Sequence, residues 1–397
     1  MTSISRRRSV RLLLAALLAS GLAGCAASSE PDPAQTTSAA GDVVDGGGAA
    51  EVAEPALALI VADERGALTL VDLATEDRTT IAGPGGPGLV DVGSDGRFVF
   101  VVREQAGRGV VGIVDSGRWT MPHGDHSHYF RGEPRILGEV EGEGRARLGI
   151  GADATVIRFA GEAAVVDHEE LGEGTVDPER SALPGDRPTV TIAGQLVGAT
   201  DAGIEAPAAV APCREAGDAV LTRVGVVFAC ADGAVLLSRE VGGGVSAEAV
   251  PYPPDAAAPA PVLAGRPDRP DLAGVAGDRG AWLLDVRERT WTLLPTDTPI
   301  VAAAAVGDDE ARTAVVAADG TVRVLAPGAA VLARSEPILA AAVADPALRD
   351  RVRLLVDGDH AWVSDPAGGS VIEIDLDDGR TIRTFTGLHP WAVELVG

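Results

Sequence analysis

The chain has 397 residues, 58 acidic and 33 basic side chains, and a formal charge of −25. So large an excess of negative charge argues against a nucleic-acid partner and against lying flat on an anionic membrane. Every basic residue is arginine and only 3% of residues are aromatic, so Val, Leu, Ile and Ala must fill any core.

The N-terminus opens with Arg6, Arg7, Arg8 and Arg11, then an apolar run from Leu12 to Leu22 broken only by Ser20 and Gly21. The run is too short, and too soon followed by polar residues, to span a bilayer. It ends in Leu22-Ala-Gly-Cys25, which resembles a bacterial lipobox. The resemblance implies a signal peptide over 1–24, cleavage before Cys25, lipidation of that cysteine and an extracytoplasmic, membrane-anchored protein. An ordinary secretory signal with an incidental cysteine is the alternative. Ser5-Arg6-Arg7 also raises twin-arginine export, which the following residues fit poorly. Cleavage removes four arginines and no acid, so the charge falls to −29.

Residues 25–54 are rich in Ala, Gly, Ser, Asp and Glu and have almost no large apolar side chains. Such a segment cannot bury enough surface to offset its ordering entropy, so it reads as a flexible tether.

Residues 55–397 read as one all-β domain. Short apolar runs alternate with Gly/Asp turns: Ala56 to Val61, Glu64-Arg-Gly66, Leu68 to Val71; then Gly88 to Val92, Ser94-Asp-Gly96, Phe98 to Val102. The same grammar returns at Ala314 to Leu325 around Asp319-Gly320, and at Val352 to Val363 around Asp357-Gly358. Repeats of roughly 40–50 residues with three or four strands each suit β-propeller blades, about seven of them. The rhythm looks like the YVTN/WD-type propellers. Ring closure pairs a strand near 56–62 with the last blade, which removes exposed edges. Pro253 to Pro270 reads as a long loop. Ile338 to Ala347 is Ala-rich, but Asp345-Pro346 and the arginines that follow favour a strand and a loop over a helix.

Three of the six histidines fall within six residues of Met121-Pro-His-Gly-Asp-His-Ser-His-Tyr-Phe130. Neutral imidazoles of His123, His126 and His128 with the carboxylate of Asp125 offer a first shell for a divalent metal, zinc above all. In an extended chain His126 and His128 share a face, and Gly124 lets His123 fold back towards them. A solvated, incidentally His-rich loop is the bland alternative. The motif falls at a loop or strand end between blades two and three. His168 and Asp167, in Val165 to Glu170, are candidates to join the metal or orient a ligand, against a blade-edge turn. His360 and His389 lie in turns of the last blades and are weaker candidates. Cys213 and Cys230 remain after Cys25; an oxidising compartment favours pairing them, with soft metal ligation as the alternative.

The His-Gly-Asp-His-x-His-Tyr motif and Cys230-Ala-Asp-Gly233, in an acidic exported propeller, resemble the AztD-type zinc metallochaperones and the actinobacterial lipoproteins associated with metal ABC transporters. The resemblance is specific around 115–138, 213–238 and 361–375. It implies that His123, His126 and His128 bind Zn2+, that Cys213 and Cys230 form a disulfide, and that zinc is delivered to the solute-binding protein of a metal importer. Where AztD-type proteins carry a histidine soon after the first cysteine, this chain has Arg214-Glu-Ala-Gly217; the tether also lacks histidines.

The implied mechanism is reversible capture. Affinity should fall as imidazoles protonate, ordinarily near pH 6.5. Two other classes compete: a non-catalytic envelope scaffold, and a metal-dependent hydrolase, for which Glu169 is the one obvious base near a histidine and no Gly-x-Ser-x-Gly nucleophile motif exists.

Overall fold

The computed structural model describes residues 48–397 apart from 82, 84, 85, 124, 125, 186, 208, 255, 257, 329 and 330. The signal segment, Cys25 and most of the tether lie outside the described residues, as does Asp125. No helix among the described residues is long and apolar enough to cross a membrane.

Among the described residues the domain is a β-propeller of eight blades, where the sequence repeats suggest about seven. Seven are four-stranded antiparallel sheets; five of them run in simple sequence order, one takes its innermost strand from Pro390–Val396, and one carries an insertion before its last strand. In the sixth, three strands (Asp271–Val275, Gly280–Asp285, Thr290–Pro295) gain a short innermost partner through the Ala264–Ala273 bridge. The miscount comes from blade four, which occupies only 189–211. Its strands are joined by turns as tight as Ala193-Gly194, both with positive φ, the geometry a two-residue hairpin requires. That segment has neither an Asp-Gly turn nor a long apolar run, so a period near 45 residues passes over it.

The ring closes as the sequence implies. Ala58–Asp63 pairs antiparallel with Pro390–Val396, from Ala58 opposite Val396 to Asp63 opposite Pro390. The first and last strands of the ring thus share one blade, and no radial edge is left open there.

Apolar clusters sit between neighbouring blades. Ala58, Ile60 and Leu70 of blade one meet Val99, Val101 and Val114 of blade two. Phe98, Phe100 and Ile113 meet Ile157 and Phe159 of blade three. Leu59 and Val61 meet Trp362, Val371 and Phe385 across the closure. Each fully buried Val, Leu or Ile contributes about 1.5–3 kcal/mol, which explains how a core with few aromatics holds.

Two elements differ from the sequence reading. Ala340–Ala344 and Pro346–Arg349 are short helices, not a strand and loop. Asp345 caps the second by accepting from the Ala347 N–H at 2.9 Å, with Pro346 at the helix start, where its missing N–H costs nothing. Within the segment read as tether, Ala50–Val52 is a strand.

Candidate metal centre

The histidine motif is a β-hairpin, Arg118–His123 and His126–Arg131, inserted between the third and fourth strands of blade two (Arg108–Asp115 and Arg135–Glu143). It therefore interrupts blade two and does not lie between blades two and three. With Ala50–Val52 it forms a separate three-stranded sheet.

Register explains why the histidines converge. His123 pairs with His126, Met121 with His128, and Trp119 with Phe130. Directly paired residues share a face, so Trp119, Met121, His123, His126, His128 and Phe130 all project to one side. Thr120, Pro122, Ser127 and Tyr129 take the other. The one-face placement of His126 and His128 and the return of His123 both agree with the sequence reading.

Two buried carboxylates fix the base of the hairpin. Asp72, at the end of Leu68–Asp72 in blade one, pairs with Arg118 (3.3 Å) and Arg131 (2.8 Å), one from each hairpin strand. Burial pushes its carboxyl up, but the N–H groups of Thr75 and Ala74 and the charges of Arg131 and Arg118 outweigh this and hold it below the usual range. Asp115 accepts from Arg97 through Nε and Nη2 at 3.2 and 3.0 Å, and from Arg135 at 3.4 and 3.3 Å. Arg97 also lies over the Trp119 ring, 3.8 Å from its centroid, and Trp119 stacks on Phe130 at 4.8 Å. At the neck, Gly132 donates to the Gly117 carbonyl at 2.7 Å. A Cβ on Gly117, at φ +70°, would stand 2.6 Å from the Gly132 carbonyl oxygen, so only glycine fits.

At the tip, one ring nitrogen from each of His123, His126 and His128 lies within 4.8 Å of the others. His126 and His128 approach Nε2 to Nε2 at 3.2 Å. Two nitrogens on a tetrahedral zinc at ordinary bond lengths stand about 3.3 Å apart, so this pair is already spaced as an edge of such a site. His123 and His126 are exposed and His128 is half-buried, so the group faces solvent.

Sequence reasoning missed Glu51. From the strand Ala50–Val52, paired opposite Phe130 on the histidine face, its Oε1 lies 2.6 Å from His128 Nδ1. With the proton on Nδ1 donated to that carboxylate, the Nε2 lone pair is free for a metal. No local signal marks Glu51, because its partner is 77 residues away.

His168 stands apart from this group. Its Nδ1 faces Asp95 at 3.0 Å and its Nε2 faces the Thr155 hydroxyl at 2.9 Å, with Phe98 against the ring. Both nitrogens are used: Nδ1 ties blade three to Asp95 of blade two, and Nε2 bonds to Thr155 within blade three itself. Asp167 caps the short helix His168–Gly172, accepting from Glu169 and Glu170 N–H groups, and Glu169 is exposed on its first turn. His360 faces Asp357 at 3.5 Å, and His389 is an exposed turn residue with positive φ. Neither joins the cluster. Cys213 and Cys230 form a disulfide in blade five's surroundings, with both side chains buried.

Beside the hairpin an axial cavity of about 1350 Å³ opens, lined by Thr120, Pro122, Ser127 and Tyr129 from the hairpin's other face. His126 and His168 both reach its wall, from separate positions.

No protein-family model matches the chain, and no curated protein matches it in sequence. Among solved structures it is similar to apo AztD from Citrobacter koseri, with a TM-score of 0.69 at 17% identity over 87% of this chain and 98% of that one. A second structure of Citrobacter koseri AztD gives 0.70 at the same identity and coverage. A putative 6-phosphogluconolactonase from Bacteroides uniformis gives 0.52 at 14% identity over 86% and 100%. The chain thus has the fold of AztD, matched over nearly the whole of that protein.

Proposed function

We propose that the protein is a lipid-anchored, extracytoplasmic zinc carrier that captures the ion on His123, His126 and His128 and passes it to the solute-binding protein of a metal importer. The observation that carries this reading is the convergence of three imidazoles on one exposed hairpin face, two of them at tetrahedral spacing. Neutral imidazoles suit zinc, and a shell of three leaves one position for water or for an incoming ligand of the acceptor. The likeness to AztD and the disulfide support the envelope setting.

The hairpin's architecture fits transfer. Asp72 and Asp115 hold its base, while the donors stand at a solvent-facing tip where a partner can replace them one at a time. We read the role as non-catalytic: among the described residues, Glu51 is the carboxylate that contacts these imidazoles, and it is engaged on Nδ1, on the opposite side of the ring from Nε2.

The test is transfer under competition. The chain without its signal segment, loaded with one equivalent of zinc, is mixed with a metal-free solute-binding protein in excess chelator. Zinc appearing on the solute-binding protein faster than it does from free zinc–chelator supports the carrier. Zinc partitioning only to the chelator refutes it.

A further inference from the structure

Met121 is one of two methionines in the sequence, the other being Met1. It is not a core residue: it is 36% exposed, while packing near the hairpin neck is supplied by the Trp119–Phe130 stack. Its register partner is His128, so its side chain leaves the hairpin on the face that carries all three imidazoles. Directly opposed residues of an antiparallel pair have Cβ atoms about 4.5–5.5 Å apart, and the flexible thioether reaches further than that.

Three histidines leave a four-coordinate site one donor short. A thioether is a soft, uncharged donor. It adds little to zinc but is well matched to Cu(I), which also accepts imidazole. We propose that Met121 is the soft fourth donor of the hairpin and that the site takes Cu(I) as an alternative cargo to zinc. The inference rests on the reading that His123, His126 and His128 hold a metal, and extends it to which metals they hold.

The experiment compares the wild-type chain, Met121→Leu and the triple His123/His126/His128→Ala variant. Cu(I) is titrated anaerobically against a colorimetric Cu(I) chelator, and zinc against a zinc chelator. Leucine keeps the volume and removes the donor. The proposal expects Met121→Leu to weaken Cu(I) by at least about tenfold while moving zinc by no more than about twofold. It also expects a sulfur scatterer in the copper X-ray absorption spectrum of the wild-type protein, a readout that does not depend on any variant folding. Cu(I) affinity unchanged in Met121→Leu, or a spectrum with nitrogen scatterers alone, overturns the copper inference and leaves the zinc site standing. Equal loss of both metals in Met121→Leu overturns it too, by showing a packing role. Neither metal responding to the triple variant overturns the zinc reading itself.

Discussion

Glu51 meets His128 at 2.6 Å across 77 residues of chain, and this contact, beside the pairing of Ala50–Val52 with Tyr129–Arg131, ties that strand to the histidine hairpin. The carboxylate selects the ring tautomer that leaves Nε2 free, and the strand it rides on adds a third member to the hairpin sheet. Orientation of a ligand by a hydrogen-bonded carboxylate is ordinarily worth about 10–100-fold in metal affinity.

Glu51→Ala is therefore expected to lower zinc affinity by about 10–100-fold with little change in thermal stability, because the residue is exposed and off the propeller core. Competitive chelator titration checks this. An affinity equal to wild type would mean that His128 is oriented without help.

The hairpin's foundation is electrostatic and buried. Asp72→Ala leaves Arg118 buried without its carboxylate, a loss of about 3–5 kcal/mol. Because the folded-state carboxyl of Asp72 lies below the usual range, its stabilisation is present above pH about 4 and fades as pH falls through the lower folded value. Urea unfolding at pH 7 and pH 3 should show the variant's deficit shrinking at the lower pH. A deficit of equal size at both would contradict the assignment.

Glu394 behaves in the opposite sense. It lies on the innermost strand of blade one, where burial and then the nearby charge of Asp91 push its carboxyl up to about 8. An acid raised this way is protonated in the folded state and ionised in the unfolded chain between pH about 4.5 and 8, so stability falls as pH rises through that window. Glu394→Gln should match wild type near pH 4.5 and exceed it at pH 9 by on the order of 1 kcal/mol or more. Parallel curves for the two proteins across this range would refute the shift.

Most of the fold could be read from local pattern, because alternating apolar runs and Asp-Gly turns are local features. Ring closure and the all-β class follow from them. Blade four escaped because its strands are short and its turns lack that signature. The helices after Leu339 escaped because Asp345-Pro346 reads as a breaker from sequence, whereas in the structure the same pair caps and starts a helix. At the site, the three histidines were legible because composition concentrates them. The hairpin register that faces them together follows from the pairing of His123 with His126. Glu51 comes from a strand ahead of blade one and Asp95, the ion-pair partner of His168, from blade two, so no spacing rule reaches them; Thr155, the other partner of His168, lies on the neighbouring strand of its own blade but carries no sequence signal for that bond.

The disulfide closes a loop between positions 17 residues apart, for which the chain-entropy argument gives about 3 kcal/mol. Cys213→Ala with Cys230→Ala should lower the unfolding free energy by about that amount and leave zinc affinity unchanged, since neither cysteine is among the residues grouped at the hairpin tip. Loss of zinc binding in this variant would place the cysteines in the metal site after all.

The most direct measurement is a zinc titration of the chain without its signal segment against a competing chelator, beside the variant with His123, His126 and His128 all changed to Ala. One tightly bound zinc per chain in the wild type, absent from the variant, is the predicted result. Weak binding of equal strength in both proteins, as an acidic surface alone would give, would contradict the assignment of the hairpin as a metal centre.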